Sequence, residues 1–389
     1  HILDPISRKY RESTSHDLFD IARVCDTLEH IHFFQTSIVC RDLEDVREMD
    51  ITTCYASVAG TKKHVGTSFS FPENVDEALQ MLHLIAGSEK AWRERPFVSM
   101  SVCHVVPPLK FAEDASACLE AGVRGGMPIL LLSAGQAGAT SPATLALCVV
   151  QAVAEVIAGL VYVNAIQEGA PAIFGAWPFV SDLRTGAMSG GSGEQAVLMA
   201  ACGQMSQFYN LPSGIAAGMT DSKIPDAQSG YEKGYTVALA GHSGANLIYE
   251  SAGMHASLLG CCLESYVIDN DMLGAINRTV RGIEVNAETL SLDPIRDVCL
   301  DGPGHYLGHE QTLNRMQSDY LYPIVGDREN INNWIEQGST DSIQRAHLKL
   351  KEILKTHFPN NWDEDTDRKI REQFPIRLPR NRMQPLDIS

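Results

Sequence analysis

The chain has 389 residues, 44% hydrophobic and 20% charged, a globular balance that excludes low-complexity disorder and a small disulfide-stapled scaffold. Lys plus Arg number 31 against 48 Asp plus Glu, and the resulting net charge of -17 disfavours nucleic acid and anionic membrane as partners. The ten cysteines form no CxxC pair and sit mostly in apolar runs, such as Cys148 in LALCVV, so free buried thiols in a reducing cytoplasm are expected. The first residues, HILDPISRKY, are polar and charged and carry no signal-peptide pattern. They also lack an initiator Met, which suggests an internal start.

In chain order, residues 15–31 (SHDLFDIARVCDTLEHI) predict an amphipathic helix placed to close the bottom of the fold. Eight short apolar runs follow, at 32–40, 64–71, 96–103, 127–134, 170–179, 211–220, 245–251 and 264–270. Helical patterns separate them, for example at 75–87, 111–122 and 193–209. The longest apolar stretch, 143–166, contains Gln151, Glu155 and Asn164 and follows Thr140-Ser141-Pro142. It reads as a buried helix with Pro in its first turn rather than a membrane span.

Strand–helix alternation predicts a parallel sheet, and continuous apolar runs suit strands covered on both faces. Eight such units predict an α/β fold, a (β/α)8 TIM barrel over residues 32–280, with an open doubly wound sheet as runner-up. Residues 1–31 form an N-terminal helical segment in this reading. Residues 281–389 form a C-terminal helical extension and tail, with a helix at 341–358 and a docking or oligomer surface expected there.

Active groups of such barrels lie at the C-terminal ends of the strands. That rule selects Phe69 and Phe71, His104, Gln136, Trp177 and Phe179, then Thr220, Asp221, Ser222 and Lys223. It continues with Glu250 and His255, and ends with Asp269 and Asp271. Two groupings stand out. Phe71, Trp177, Phe179 and Tyr249 can converge on one mouth, where aromatic faces attract a quaternary ammonium by roughly 0.5–2 kcal/mol each; plain packing is the alternative. Glu250, Asp269 and Asp271 offer carboxylates for a cation, a metal or a proton, with helix capping or Arg pairing as the structural alternative. His305 and His309 stand at i and i+4, but HExxH is absent and Gly308 weakens a helix there, so a pocket or structural pair is expected and no metal site. The segment GAMSGGSGEQ (186–195) reads either as a phosphate cradle or as a turn before a helix capped by Ser192.

The runs MTDSKIPDAQSGYEKGY (219–235), ANLIYESAGM (245–254), ESYVIDNDML (264–273), RGIEV (281–285) and GPGHYLGHEQTL (302–313), with WPFVSDLRTGAMSGGSGEQA (177–196), carry a family likeness. In their order and length they resemble the trimethylamine methyltransferase (MttB) superfamily, and the resemblance covers nearly the whole chain. It implies a TIM barrel that moves a methyl group from a methylamine to the cobalt of a cognate corrinoid protein. The archaeal trimethylamine enzymes of that family carry pyrrolysine, whereas this chain has only the twenty standard residues. Co(I) displaces a good leaving group, and a quaternary ammonium leaves as a neutral amine without help.

The resemblance therefore points to a non-pyrrolysine member similar to glycine betaine:corrinoid methyltransferases, with trimethylamine-type activity and a non-catalytic quaternary-amine-binding barrel as alternatives. It implies no tightly bound cofactor on this chain, the corrinoid (cobalamin) arriving on the partner protein. Cytoplasmic residence and a homo-oligomer are expected. Under this reading Trp177 and Phe179, with Phe71 and Tyr249, cage the ammonium head. His104, His255 or His305 meets a substrate carboxylate, Glu250 and Asp269 balance charge or orient the histidines, and Thr220 and Asp221 line the end of the sixth strand, near where the pyrrolysine position would fall.

Overall fold

A computed structural model describes residues 1–300 and 302–385. Seven of the eight apolar runs become short strands: β1 (Phe33–Gln35), β2 (His64–Thr67), β3 (Val98–Val102), β4 (Ile129–Ser133), β5 (Ala172–Ala176), β6 (Gly214–Ala216) and β7 (Leu247–Tyr249). All pair in parallel and in sequence order. β1 to β5 form one sheet, with Phe33 opposite His64, Val65 opposite Val98, Met100 opposite Ile129 and Ala172 opposite Ile129. β6 and β7 form a second, and a parallel bridge from Phe174 to Ser213 links the two. The strands are apolar on both faces because helices cover the outside while side chains fill the inside; every residue of β4 is buried.

Helices follow the strands: α1 (Ser15–Thr27) precedes β1, and then come α2 (Val46–Gly60), α3 (Pro72–Ala86), α4 (Glu113–Arg124), α5 (Leu145–Ile166), α6 (Gly193–Phe208), α7 (Ala227–His242) and α8 (Leu263–Arg281). Their starts are written in the sequence. Thr14 with Asp17 and Asp226 with Ser229 form capping boxes, and Ser192 accepts from the Gln195 amide at 3.2 Å, so the glycine-rich 186–195 segment does lead into a capped helix. α5 starts at Leu145 rather than at Pro142, because residues 136–141 are used by a tight turn in which the Ser141 amide donates to the Gln136 carbonyl at 2.9 Å.

One expectation needs correction. The run 264–270 is not an eighth strand but the first turns of the 19-residue α8. A short apolar run has no period long enough to separate strand from helix. Among the described residues no hydrogen-bonded closure joins β7 to β1, and what is observed is a mixed α/β array of parallel strands with outer helices. The two edge strands nevertheless face each other: the Phe33 and Tyr249 ring centroids are 4.8 Å apart.

Beyond α8, residues 282–300 and 302–340 expose most of their side chains. The chain then returns to the body through α9 (Ser342–Thr356), capped by Asp341 and Gln344, and α10 (Glu364–Gln373). α9 buries Ala346, Leu350 and Ile353 against α8 and α1. The Arg23 guanidinium clamps this junction, donating to the Leu354 and His357 carbonyls at 3.0 Å and lying 4.2 Å over the Phe358 ring.

Candidate active site

The rings of Phe33, Tyr249, Trp177 and Phe179 form a continuous row inside the strand array. Tyr249 and Trp177 are 5.5 Å apart and tilted, and Trp177 and Phe179 meet edge-on at 6.5 Å. The Trp177 indole N–H donates to the Gly214 carbonyl at 2.6 Å, which fixes the ring and satisfies its one polar atom. Gly214 is required for another reason: a Cβ there would sit 2.6 Å from Tyr249 Cε2 and 2.9 Å from Leu130 Cδ1. Three of the four aromatics selected from the sequence thus come together. Phe71 does not join them; it is half exposed and stands at the N-terminus of α3. Phe33, which sequence reasoning passed over, takes a place at the start of β1, and its only signal was the paired Phe33-Phe34 in the first apolar run.

Glu250 follows directly on Tyr249. It adopts a left-handed backbone (φ 62°), which costs a non-glycine residue about 1–2 kcal/mol and so is maintained by its surroundings. With Phe33, Gln35, Tyr249 and Tyr266 it lines a cleft of about 210 Å³ between the two edge strands. Among the described residues no hydrogen bond to its carboxylate is formed. Burial without a counter-charge pushes its pKa up to about 7. A half-buried carboxylate with no counter-charge, in a cleft shared with aromatic side chains, can take a cation.

The loops after β5, β6 and β7 are stitched together around this point. Asp221 accepts from Ser189 Oγ at 2.9 Å and from Ser257 Oγ, and Ser257 Oγ also donates to the Met188 carbonyl at 3.0 Å. Glu232, reaching in from α7, accepts from Thr220 Oγ1 at 2.5 Å and from the Asp221 amide at 2.8 Å. Ala256, Ser257 and Leu258 all have positive φ (50°, 51° and 76°), so the rim after β7 is held in a strained coil by these bonds. Thr220 and Asp221 therefore act first as rim fasteners. A second cleft of about 510 Å³, lined by Thr36, Ser37, Asp50, Ser68, Phe69 and Leu258 among others, opens at the same end of the strands.

The remaining selected residues lie elsewhere. Asp269 is on α8 rather than at a strand end, where it accepts from Lys233 Nζ at 2.6 Å and from the Gly253 amide at 2.8 Å. Asp271, also on α8, accepts from the amides of Ile324, Val325 and Gly326 at 2.8 Å and ties down the extension. His255 is buried with Nε2 2.7 Å from Ser265 Oγ; burial, aided by nearby Lys233, lowers its pKa to about 3. His104 is buried against α5, its Nε2 3.0 Å from the Glu155 carbonyl, and burial lowers its pKa. A Cβ at Gly159 would lie 2.3 Å from that nitrogen, so the glycine makes the room. His305 is exposed in the C-terminal extension, among none of the others, and His309 caps the following helix by accepting from the Gln311 amide at 3.1 Å.

Residues 2–378 match the model of the trimethylamine methyltransferase (MTTB) family. The chain is 33% identical over 358 residues to the trimethylamine methyltransferase MttB of Desulfitobacterium hafniense (strain DSM 10664 / DCB-2), covering 92% of this chain and 71% of that protein. It is similar at 33% to the enzyme of that name from Methanosarcina barkeri (strain Fusaro / DSM 804), over 91% of this chain and 71% of that one. It is 28% identical to the glycine betaine methyltransferase of Desulfitobacterium hafniense (strain Y51), over 92% of this chain and 74% of the relative. The chain belongs to the trimethylamine methyltransferase family, and it is a methyltransferase.

Proposed function

We propose that this methyltransferase moves a methyl group from a quaternary amine, glycine betaine or a similar betaine, to Co(I) of a cognate corrinoid protein. The observation that carries the reading is the half-buried Glu250 carboxylate, without a hydrogen-bond partner among the described residues, in a cleft that it shares with Phe33 and Tyr249 of the aromatic row. A trimethylammonium head supplies the positive charge that this pocket lacks, and the aromatic faces bind it without competing hydrogen bonds. Trp177, Phe179 and Tyr249 cage the head, and Glu250 in its anionic form balances it. Asp269 and His255 act through the rim they fasten, and Thr220 and Asp221 shape its edge. His104 holds the loop after β3, while Phe71 and His305 lie on surfaces open to a partner protein or to the substrate carboxylate.

In the transfer the C–N bond breaks, its electron pair stays on nitrogen, and the leaving amine is neutral. The methyl group is taken by Co(I), so no proton has to be moved. Catalysis is then positioning and desolvation. The strand array closes into a TIM-type barrel in this reading, with the partner meeting the mouth. The corrinoid belongs to that partner, and this chain holds no cofactor tightly. Its ten free cysteines suit a reducing cytoplasm.

The trimethylamine reading is supported by the higher identity to relatives of that name, and the two are separated by assay. Methylation of the corrinoid acceptor is measured with glycine betaine and with trimethylamine. Turnover of the betaine is expected; turnover of trimethylamine and of no quaternary amine overturns the proposal.

A further inference from the structure

The inside of a parallel strand array covered by helices is ordinarily filled with Val, Ile and Leu. Here only one half is apolar. Met100 of β3 and Ile129 of β4 point outward to α4, since a Cβ at Gly122 would lie 2.5 Å from Met100 Cε and 3.1 Å from Ile129 Cδ1. Side chains alternate along a strand, so Ser99 and Ser101, like Leu130 and Leu132, point inward. Leu130 accordingly lies within 3.0 Å of where a Cβ at Gly175 or Gly214 would stand, on the side of Tyr249 and Trp177. β4 to β7 thus present an apolar and aromatic inner wall. Gln35 shares the inner face of β1 with Phe33, whose ring meets Tyr249. From there to β3 the wall is polar: Gln35, His64, Ser99 and Ser101, with Gly66 among them. His64 Nε2 lies 2.9 Å from Ser99 Oγ, and Ser101 Oγ donates to Gln35 Oε1 at 3.4 Å.

We propose that Gln35 reads the other end of the substrate, donating from Nε2 to a carboxylate oxygen while the ammonium head rests on the aromatic wall. The inference rests on the quaternary-amine reading above and names a residue that sets its specificity. Three observations carry it. The amide is oriented: Ser101 donates to Oε1, and among the described residues Nε2 donates to no protein group. Its room is reserved: a Cβ at Gly66 would stand 1.9 Å from Gln35 Oε1, so the amide crosses β2 only over a glycine. It stands beside the cation site: Gln35 is about 6.6 Å beyond Phe33 along β1, towards the strand end, and lines the same cleft as Glu250. That offset is the scale of a compact zwitterion. Charge explains why the donor is an amide. A Lys or Arg at this position would pair with Glu250 and compete with the ammonium for it, whereas a neutral N–H binds a carboxylate and leaves Glu250 to the cation.

The test is isothermal titration calorimetry of the 389-residue chain with glycine betaine and with tetramethylammonium, which has the head and no carboxylate. Gln35→Leu, of similar size, should weaken betaine binding by about 10–100-fold and tetramethylammonium binding by less than about 3-fold, as loss of a hydrogen bond to a charged group implies. Gln35→Glu puts a carboxylate where that of the substrate would lie. It should abolish betaine binding and leave tetramethylammonium bound at least as tightly as in the parent. A circular dichroism melt within a few degrees of the parent checks the folding of both variants. Equal loss of the two ligands in Gln35→Leu, or a betaine affinity unchanged in either variant, overturns the inference. The quaternary-amine reading fails separately, in the parent: if neither ligand binds there, that reading falls and this inference with it.

Discussion

Glu250→Gln isolates the electrostatic tension in the cleft. Burial raises the Glu250 pKa from 4.5 to about 7, so the folded state holds a proton that the unfolded chain releases over that interval. Folding stability contributed by this group is therefore complete below pH ~4.5 and lost as pH rises through 7. That rise corresponds to about 3 kcal/mol of stability removed between pH 4.5 and 8. Gln cannot ionise and keeps the size and left-handed backbone requirement of the site. Urea unfolding of the parent and of the Gln variant at pH 4.5, 6, 7 and 8 reads the difference directly, and other titrating groups cancel. The variant should gain on the parent steadily with pH, by about 3 kcal/mol at pH 8. A betaine should reverse the tension: its cation favours the carboxylate, so its affinity for the parent should rise between pH 6 and 8 and that for the variant should stay flat. A stability difference that is constant over the whole range refutes the argument, because it would mean that Glu250 titrates alike folded and unfolded.

Three further outcomes follow from the geometry. Trp177→Leu should weaken betaine binding by roughly 2–30-fold in calorimetry through loss of one cation–π face worth about 0.5–2 kcal/mol, and Gly214→Ala should weaken it too while costing about 1–3 kcal/mol of stability, because its methyl group enters the Tyr249 ring. His255 should remain neutral from pH 5 to 8 in imidazole NMR, and since its folded pKa lies below the unfolded one, the stability it contributes is present above pH ~6.5 and is lost as pH falls towards about 3. Asp269→Ala strands the buried Lys233 ammonium and should cost about 3–5 kcal/mol, whereas Asp182→Ala breaks an exposed pair with Arg184 and should cost under about 1 kcal/mol by thermal unfolding.

The local chemistry of the chain determined a good deal. Caps such as Thr14, Ser192, Asp226 and Asp341 stand where helices begin, because orphan amides need a side-chain acceptor wherever the chain runs. Apolar runs bounded by turns became seven strands, and Trp177, Phe179 and Tyr249 could be selected because they end those strands. The run 264–270 misled, since Tyr266, Val267 and Ile268 suit a strand and a buried helix equally and only packing against α7 and α9 decided for helix. That one change moved Asp269 from a presumed mouth to a clamp on Lys233.

Tertiary structure alone decided which selected groups share a site. Phe71 and Trp177 both follow strands, yet one faces water and the other lies against Tyr249, because Trp177 directly follows β5 whereas Phe71 stands beyond β2 at the cap of α3. It also decided which carboxylates find hydrogen-bond donors. Glu250 and Asp221 are both carboxylates at strand ends; Asp221 receives two hydroxyl donors and Glu250 none among the described residues. A pKa belongs to surroundings assembled from distant segments, and sequence specifies the group but not the water it loses.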